Sequence, residues 1–174
     1  MPKLILLCGL PGAGKTYLAE RLARRPGFVH VASDYIRQLL FPQPKFTLAE
    51  HSRVFDEAHK FVKMGLQNGD TVIMDATNLR ERHRIPLRAV AAAFHAPIYE
   101  FFIDAPQAVR EERIRKRGRG DVEGTIAAAR KMEKYIDATA ATWLLVGTEP
   151  VETLETLVME VVESNDGSNS PVSA

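Results

Sequence analysis

Eight consecutive residues, Gly9-Leu10-Pro11-Gly12-Ala13-Gly14-Lys15-Thr16, carry the most specific chemistry in the chain. Two glycines with four residues between them are followed at once by lysine and a hydroxyl residue, the pattern of a phosphate-binding loop, or P-loop. Glycine lets the backbone wrap closely around a phosphate with its N–H groups turned inward, and a helix beginning at the loop adds the positive end of its dipole. Lys15 is expected to reach the β- and γ-phosphates of ATP, and Thr16 to ligate Mg²⁺. An apolar strand before the loop and a helix after it are the context that the motif requires.

Two further polar clusters follow apolar runs. Ser33-Asp34-Tyr35-Ile36-Arg37 comes directly after Phe28–Ala32, and Asp34 and Arg37, three apart, share a helix face. Phosphoryl transfer to a hydroxyl needs a carboxylate to orient and deprotonate the acceptor, and cations around the moving group. Asp34 suits the first task, and Arg37 suits an anionic group on the acceptor; the alternative is a helix-capping acid with a surface partner. Asp75 ends the run Thr71–Met74, where a carboxylate can hold a metal-bound water or orient an acceptor group. Asp104 ends the next run and is expected to cap a helix.

Arginine is dense at two places. Arg110, Arg113, Arg115, Lys116, Arg117 and Arg119 cluster around Gly118 and Gly120. Arg113 and Arg117, four apart, fit a lid that closes over ATP and neutralises developing charge. Arg80, Arg84 and Arg88 form one helical stripe, either a phosphate-binding face or a solvated one. The five histidines show no metal-ligand spacing, and Phe46, Phe55 and Phe61 suit base stacking or helix packing equally.

The elements that must position these residues alternate. Strands are expected at 3–8, 28–32, 71–75, 97–103 and 142–146. Helices are expected at 16–25, 33–41, from the Thr47-Leu48-Ala49-Glu50 capping box to 68, at 80–95 (with Pro86 obscuring its start), 108–117, 123–138 and 151–163. This alternation predicts an α/β domain over 1–163, a mainly parallel sheet with helices on both faces and a helical lid at about 110–130. In such sheets the site lies beyond the carboxyl ends of the strands. The polar segment 164–174 is expected to be a disordered tail.

The chain has 174 residues and a net charge of +1. Six of its 22 acids lie from Glu149 onward, where there is no Lys or Arg, so residues 1–148 hold 23 bases against 16 acids. The body is basic and its C-terminal segment acidic. One cysteine, Cys8, excludes an internal disulfide and suits a reducing cytoplasm. No signal peptide or membrane-spanning run is evident, nor any obligate protein partner.

Taken together, the P-loop, the Asp34-x-x-Arg37-Gln38 segment, Val72-Ile73-Met74-Asp75-Ala76-Thr77-Asn78-Leu79 and the run Arg113-x-x-x-Arg117-Gly118 resemble the 5′-hydroxyl kinase domain of the phage polynucleotide kinase family and the small P-loop kinases related to it. The resemblance covers about 3–135 and implies the P-loop NTPase fold. It implies Asp34 as general base, Arg37 on the phosphate adjoining the acceptor nucleotide, Asp75 supporting the acceptor site, and Arg117 stabilising the transferring phosphoryl. No Asp-x-Asp-x-Thr phosphatase signature follows, and the loop 42–50 departs from the family's pattern. The expected activity is therefore transfer of the ATP γ-phosphate to a hydroxyl, first to the 5′-OH of a nucleic acid. The alternatives are a small-molecule acceptor (metabolite, nucleoside, sugar or antibiotic) and a nucleotide-switched binding module.

Overall fold

Strand β1 (Lys3–Cys8) is apolar because it lies at the centre of the sheet. Leu4 through Cys8 have no exposed surface. In this computed structural model, which describes residues 1–137 and 143–164, β1 pairs in parallel with β3 (Thr71–Asp75) on one side and β4 (Ile98–Asp104) on the other. β2 (Phe28–Ala32) flanks β3 and β5 (Trp143–Val146) flanks β4, giving the all-parallel order β2-β3-β1-β4-β5. Alternate residues of β1 supply two cores. Leu4, Leu6 and Cys8 join Val54, Ala58 and Val62 of α3 (Leu48–Gln67) and Leu87 of α4 (Glu81–Ala93). Ile5 and Leu7 join Leu18 and Leu22 of α1 (Lys15–Leu22) and Leu154 and Val158 of α7 (Val151–Ser164). Burial of both sheet faces favours continuous apolar strands over alternating ones.

Register then fixes which loops meet. Leu7 of β1 and Ala32 of β2 both stand level with Asp75 of β3. The loop after β1, the start of α2 (Ser33–Leu40) and Asp75 therefore emerge side by side at the carboxyl edge. The chain crosses from β3 over β1 to β4 here, the point where an open parallel sheet leaves a crevice.

Several boundaries differ from the sequence expectation. The helix expected at 123–138 is α6 (Val122–Met132), whose N-cap Asp121 accepts from Gly124 N at 2.9 Å, followed by a 3-10 turn at Glu133–Tyr135. Thr47 caps α3 by accepting from Glu50 N at 3.2 Å, but Glu50 returns its carboxylate to Lys45 N at 2.9 Å, so the box closes one turn further back. Pro86 lies inside α4 without ending it. Asp104 caps nothing: α5 (Gln107–Arg117) begins after Pro106, with no side-chain cap. Of the tail expected at 164–174, Ser164 ends α7 (Val151–Ser164), and 165–174, like Ala138 and Thr142, lie outside the described residues.

Candidate active site

The loop Gly9–Thr16 curls back over the end of β1. Gly9 N donates to Thr77 O at 3.0 Å, tying the loop to the segment that leaves β3. The buried amide of Asn78 donates to Leu7 O at 3.3 Å on the same side. Gly12 rests directly on α5: a Cβ there would stand 2.5 Å from Arg110 O, so only glycine fits this approach at its positive φ.

Lys15 is buried and donates from Nζ to Leu10 O at 2.9 Å. Burial pushes its ammonium pKa down, while the carboxylates of Asp75 and Asp34 pull it up. Asp75, also buried, faces three donors. Burial alone would raise its carboxyl, but the hydrogen bond from His30, the charge of Lys15 and the Thr16 hydroxyl together hold it below the ordinary range. As the ionised partner it accepts from His30 Nε2 at 3.3 Å. The resemblance implied that Asp75 supports the acceptor site; in the structure its carboxylate lies among His30, Lys15 and Thr16. A hydroxyl and an ionised carboxylate are hard oxygen donors of the kind that hold Mg²⁺ with waters and substrate phosphates completing its shell. Among the described residues no three His, Cys, Asp or Glu side chains form a metal cluster.

Asp34 is exposed in the first turn of α2, near enough to Lys15 to influence its charge. Arg37, one turn on, is only 8% exposed. Its Nη2 donates to His51 Nδ1 at 3.5 Å, and the Phe46 ring lies 5.1 Å below the guanidinium. Its Nη1 is buried and finds no hydrogen-bond partner among the described residues.

The hairpin of α5 and α6 carries the arginine cluster, and its members divide. Arg110 is structural, donating to Ala105 O at 2.9 Å and pairing with Glu133. Arg130 of α6 grips Glu111 of α5 through bonds of 2.7 and 2.9 Å. Arg113 leans on the phosphate loop, donating to Ala13 O at 3.3 Å and Gly12 O at 3.4 Å. Arg117 is exposed, without hydrogen bond or ion pair among the described residues, and its charge is felt at Lys15.

A cavity of about 310 Å³ opens beside Gly14, between Tyr17, Arg113, Gly147, Glu149 and Leu154. Its far wall, the turn after β5, escaped the sequence reading because a lone glycine in Val146-Gly147-Thr148 carries no motif. Gly147 N donates to Asp104 O at 2.6 Å, and a Cβ on Gly147 would stand 2.6 Å from Ala13 O. Asp104 thus serves the site through its carbonyl. His30 was missed for a similar reason, being one polar residue in a short strand.

The stripe Arg80, Arg84, Arg88 neither forms a phosphate-binding face nor lies in solvent as a unit. Arg84 is wholly buried, bonded to Asn78 O at 2.5 Å and Asp137 O at 3.2 Å, with Glu100 Oε2 3.4 Å away. Arg88 binds Glu100 through bonds of 2.6 and 2.9 Å. Arg80 stacks on Tyr135 at 3.8 Å.

A family model described as an AAA domain matches residues 4–139. No curated protein matches the chain. Among solved structures, the Mycobacterium tuberculosis APS kinase CysC in complex with AMPPNP and APS superposes with a TM-score of 0.72 at 20% identity, over 93% of this chain and 98% of that one. A gluconokinase from Sinorhizobium meliloti 1021 gives 0.69 at 16% identity, over 97% and 98%. A chain of the Pnkp1/Rnl/Hen1 RNA repair complex gives 0.61 at 26% identity, over 78% of this chain and 46% of that one, so the likeness spans less than half of the larger protein. By the family match the chain belongs to the AAA-domain family, and its fold is of the P-loop NTPase type.

Proposed function

We propose that the protein transfers the γ-phosphate of ATP to a hydroxyl, and that the acceptor is the 5′-hydroxyl of a polynucleotide. The nucleotide's phosphates lie in the Gly9–Thr16 cradle with Lys15 on the β- and γ-oxygens, and its base enters the cavity by Gly147. Thr16 and Asp75 would hold Mg²⁺, which offsets phosphate charge and aligns the γ-phosphoryl. Asp34 takes the proton of the acceptor hydroxyl as the oxygen attacks phosphorus; the bond from phosphorus to the bridging oxygen breaks, and ADP leaves. Arg117, on the α5–α6 hairpin acting as a lid, supports the charge spread over the moving phosphoryl.

The observation that carries the acceptor assignment is Arg37, a buried guanidinium with an unpartnered nitrogen one helical turn from the exposed Asp34. A buried polar atom without a partner is costly, and a phosphate diester next to the acceptor nucleoside satisfies it with charge-assisted bonds. Two acids of the C-terminal segment are engaged by arginines of α1 and its C-terminal end. Glu155 is bound to Arg21 at 2.6 Å and to Arg25 at 3.0 Å, and Glu152 to Arg21 at 3.1 Å, so those acids fasten α7 to α1. A small-molecule acceptor is the second reading, favoured by the likeness of fold to a gluconokinase and an APS kinase. Incubation with γ-labelled ATP, Mg²⁺ and a short 5′-hydroxyl oligonucleotide, as DNA and as RNA, decides. Label at the 5′ end, abolished in Asp34→Asn, establishes the first reading. ATP binding without label on either strand removes it and leaves the second.

A further inference from the structure

Helices α3 and α4 bring four rings together beside Arg37. Phe55 is central: its centroid lies 4.6 Å from that of His51, 6.4 Å from His83 and 6.4 Å from His59, and His51 stands 6.2 Å from His83. Such separations are those of aromatic pairs in contact. Phe55 has one side against the core, yet it is not buried, and His51 is exposed. A cluster needed only for packing would bury its polar rings or replace them with aliphatic ones.

The two nearer histidines are held as neutral rings. Burial, then the charges of Arg37 and Arg82, lower the His51 pKa. Burial, then Arg82 and the neighbouring His51, Arg80 and Arg84, bring His83 down to about 4. The arginines also fix the tautomers. Arginine only donates, so His51 Nδ1 accepts from Arg37 at 3.5 Å and His83 Nε2 accepts from Arg82 Nε at 3.4 Å. Each neutral ring then carries its proton on the other nitrogen, His51 on Nε2 and His83 on Nδ1. The result is an uncharged cup of rings tilted 37–56° to one another with two N–H donors, next to a buried cation whose Nη1 has no partner among the described residues.

We propose that His51, Phe55 and His83 form a stacking platform for the nucleobase of the acceptor's 5′-terminal nucleotide, with the phosphate on the 3′ side of that nucleotide at Arg37. The proposal rests on the polynucleotide reading and adds which face recognises the acceptor and by what chemistry. Base stacking on rings tolerates any base, because every base has a π-face. Discrimination therefore falls between a nucleotide and an acceptor without a base.

The test compares affinities. Calorimetry measures binding of a 5′-hydroxyl dinucleotide, and of its analogue abasic at the 5′ position, to the full chain with Mg²⁺ and a non-hydrolysable ATP analogue. The intact dinucleotide is expected to bind roughly 5- to 100-fold more tightly, the worth of one stacked base. Phe55→Leu, which keeps the core contact, and His51→Ala, at an exposed position, are each expected to shrink that ratio, whereas Arg37→Met weakens both ligands alike. Should Phe55→Leu not fold, His51→Ala carries the comparison. Equal affinity for the two ligands in the unmodified protein, or a ratio unchanged in the variants that fold, overturns the platform, whether or not oligonucleotides are phosphorylated. A clear ratio without 5′ phosphorylation supports the platform and removes the 5′-hydroxyl reading instead.

Discussion

Arg84 and Glu100 face each other across 3.4 Å beneath α4, the arginine wholly buried and the glutamate 3% exposed. The pair joins the centre of the sheet to the catalytic edge, since Arg84 also holds Asn78 O and Asp137 O, and Asn78 in turn holds Leu7 O below the phosphate loop. Removing Arg84 leaves the buried carbonyls of Asn78 and Asp137 without this donor, at a cost of roughly 1–3 kcal/mol each, and leaves Glu100 to Arg88 alone. Arg84→Met is therefore expected to lower the urea midpoint strongly. A single variant as stable as the parent protein in urea melts would show that the network contributes little.

Lys15 lies between the phosphate loop and two carboxylates. Lys15→Met removes the cation proposed to reach the β- and γ-phosphates. Turnover is expected to fall by roughly 10³-fold, the scale of a lost charge contact to a transferring phosphoryl. Steady-state kinetics with saturating acceptor check it, and activity near that of the unmodified protein would refute the cradle assignment.

Asp34→Asn keeps the shape of the side chain but cannot take a proton. Turnover should fall by roughly 10²-fold or more, with the dissociation constant for ATP unchanged. A variant that loses nucleotide binding instead would place Asp34 on the donor side.

What could be read from sequence follows from how local each feature is. The Gly9–Thr16 loop is contiguous, and its backbone conformation is written in its own glycines. That Asp34 and Asp75 stand at the carboxyl edge was legible because each comes at the end of an apolar run, and parallel register sets Ala32, two residues before Asp34, level with Asp75. Arg84 was not legible. A stripe at positions 80, 84 and 88 has the same spacing whether it faces water or the core, and its partner Glu100 sits in a strand where one acid looks like noise. The histidine platform was hidden likewise, because His51 and His83 are far apart in the chain and meet only where α3 packs on α4. Gly147 matters only through the backbone it touches.

That contact makes Gly147→Ala informative. A methyl group there would stand 2.6 Å from Ala13 O and 2.8 Å from Asp104 O, both backbone atoms that cannot swing aside. The turn must lift from the phosphate loop, widening the cavity that Arg113 closes on its other side. The KM for ATP is expected to rise roughly tenfold, equivalent to ~1.4 kcal/mol of lost binding, with little change in KM for the acceptor. Equal weakening of both would show that the turn supports the whole domain and not the nucleotide side alone.

Acid should act on the protein through His83. Its pKa in the folded chain, about 4, lies below the ordinary 6.5, chiefly through burial and then through Arg82, His51, Arg80 and Arg84. The unfolded chain therefore binds the proton first. The stability contributed by the neutral ring is complete above about pH 6.5 and is lost as pH falls from there towards about 4, by something on the order of 1–3 kcal/mol. Urea melts at pH 7.5 and pH 5 measure it, with His83→Gln as the control. The variant is expected to flatten the slope between those two pH values, because glutamine does not titrate. A slope identical in both proteins would mean that other groups carry the acid sensitivity, and that His83 is freer to take up a proton than its surroundings of arginine imply.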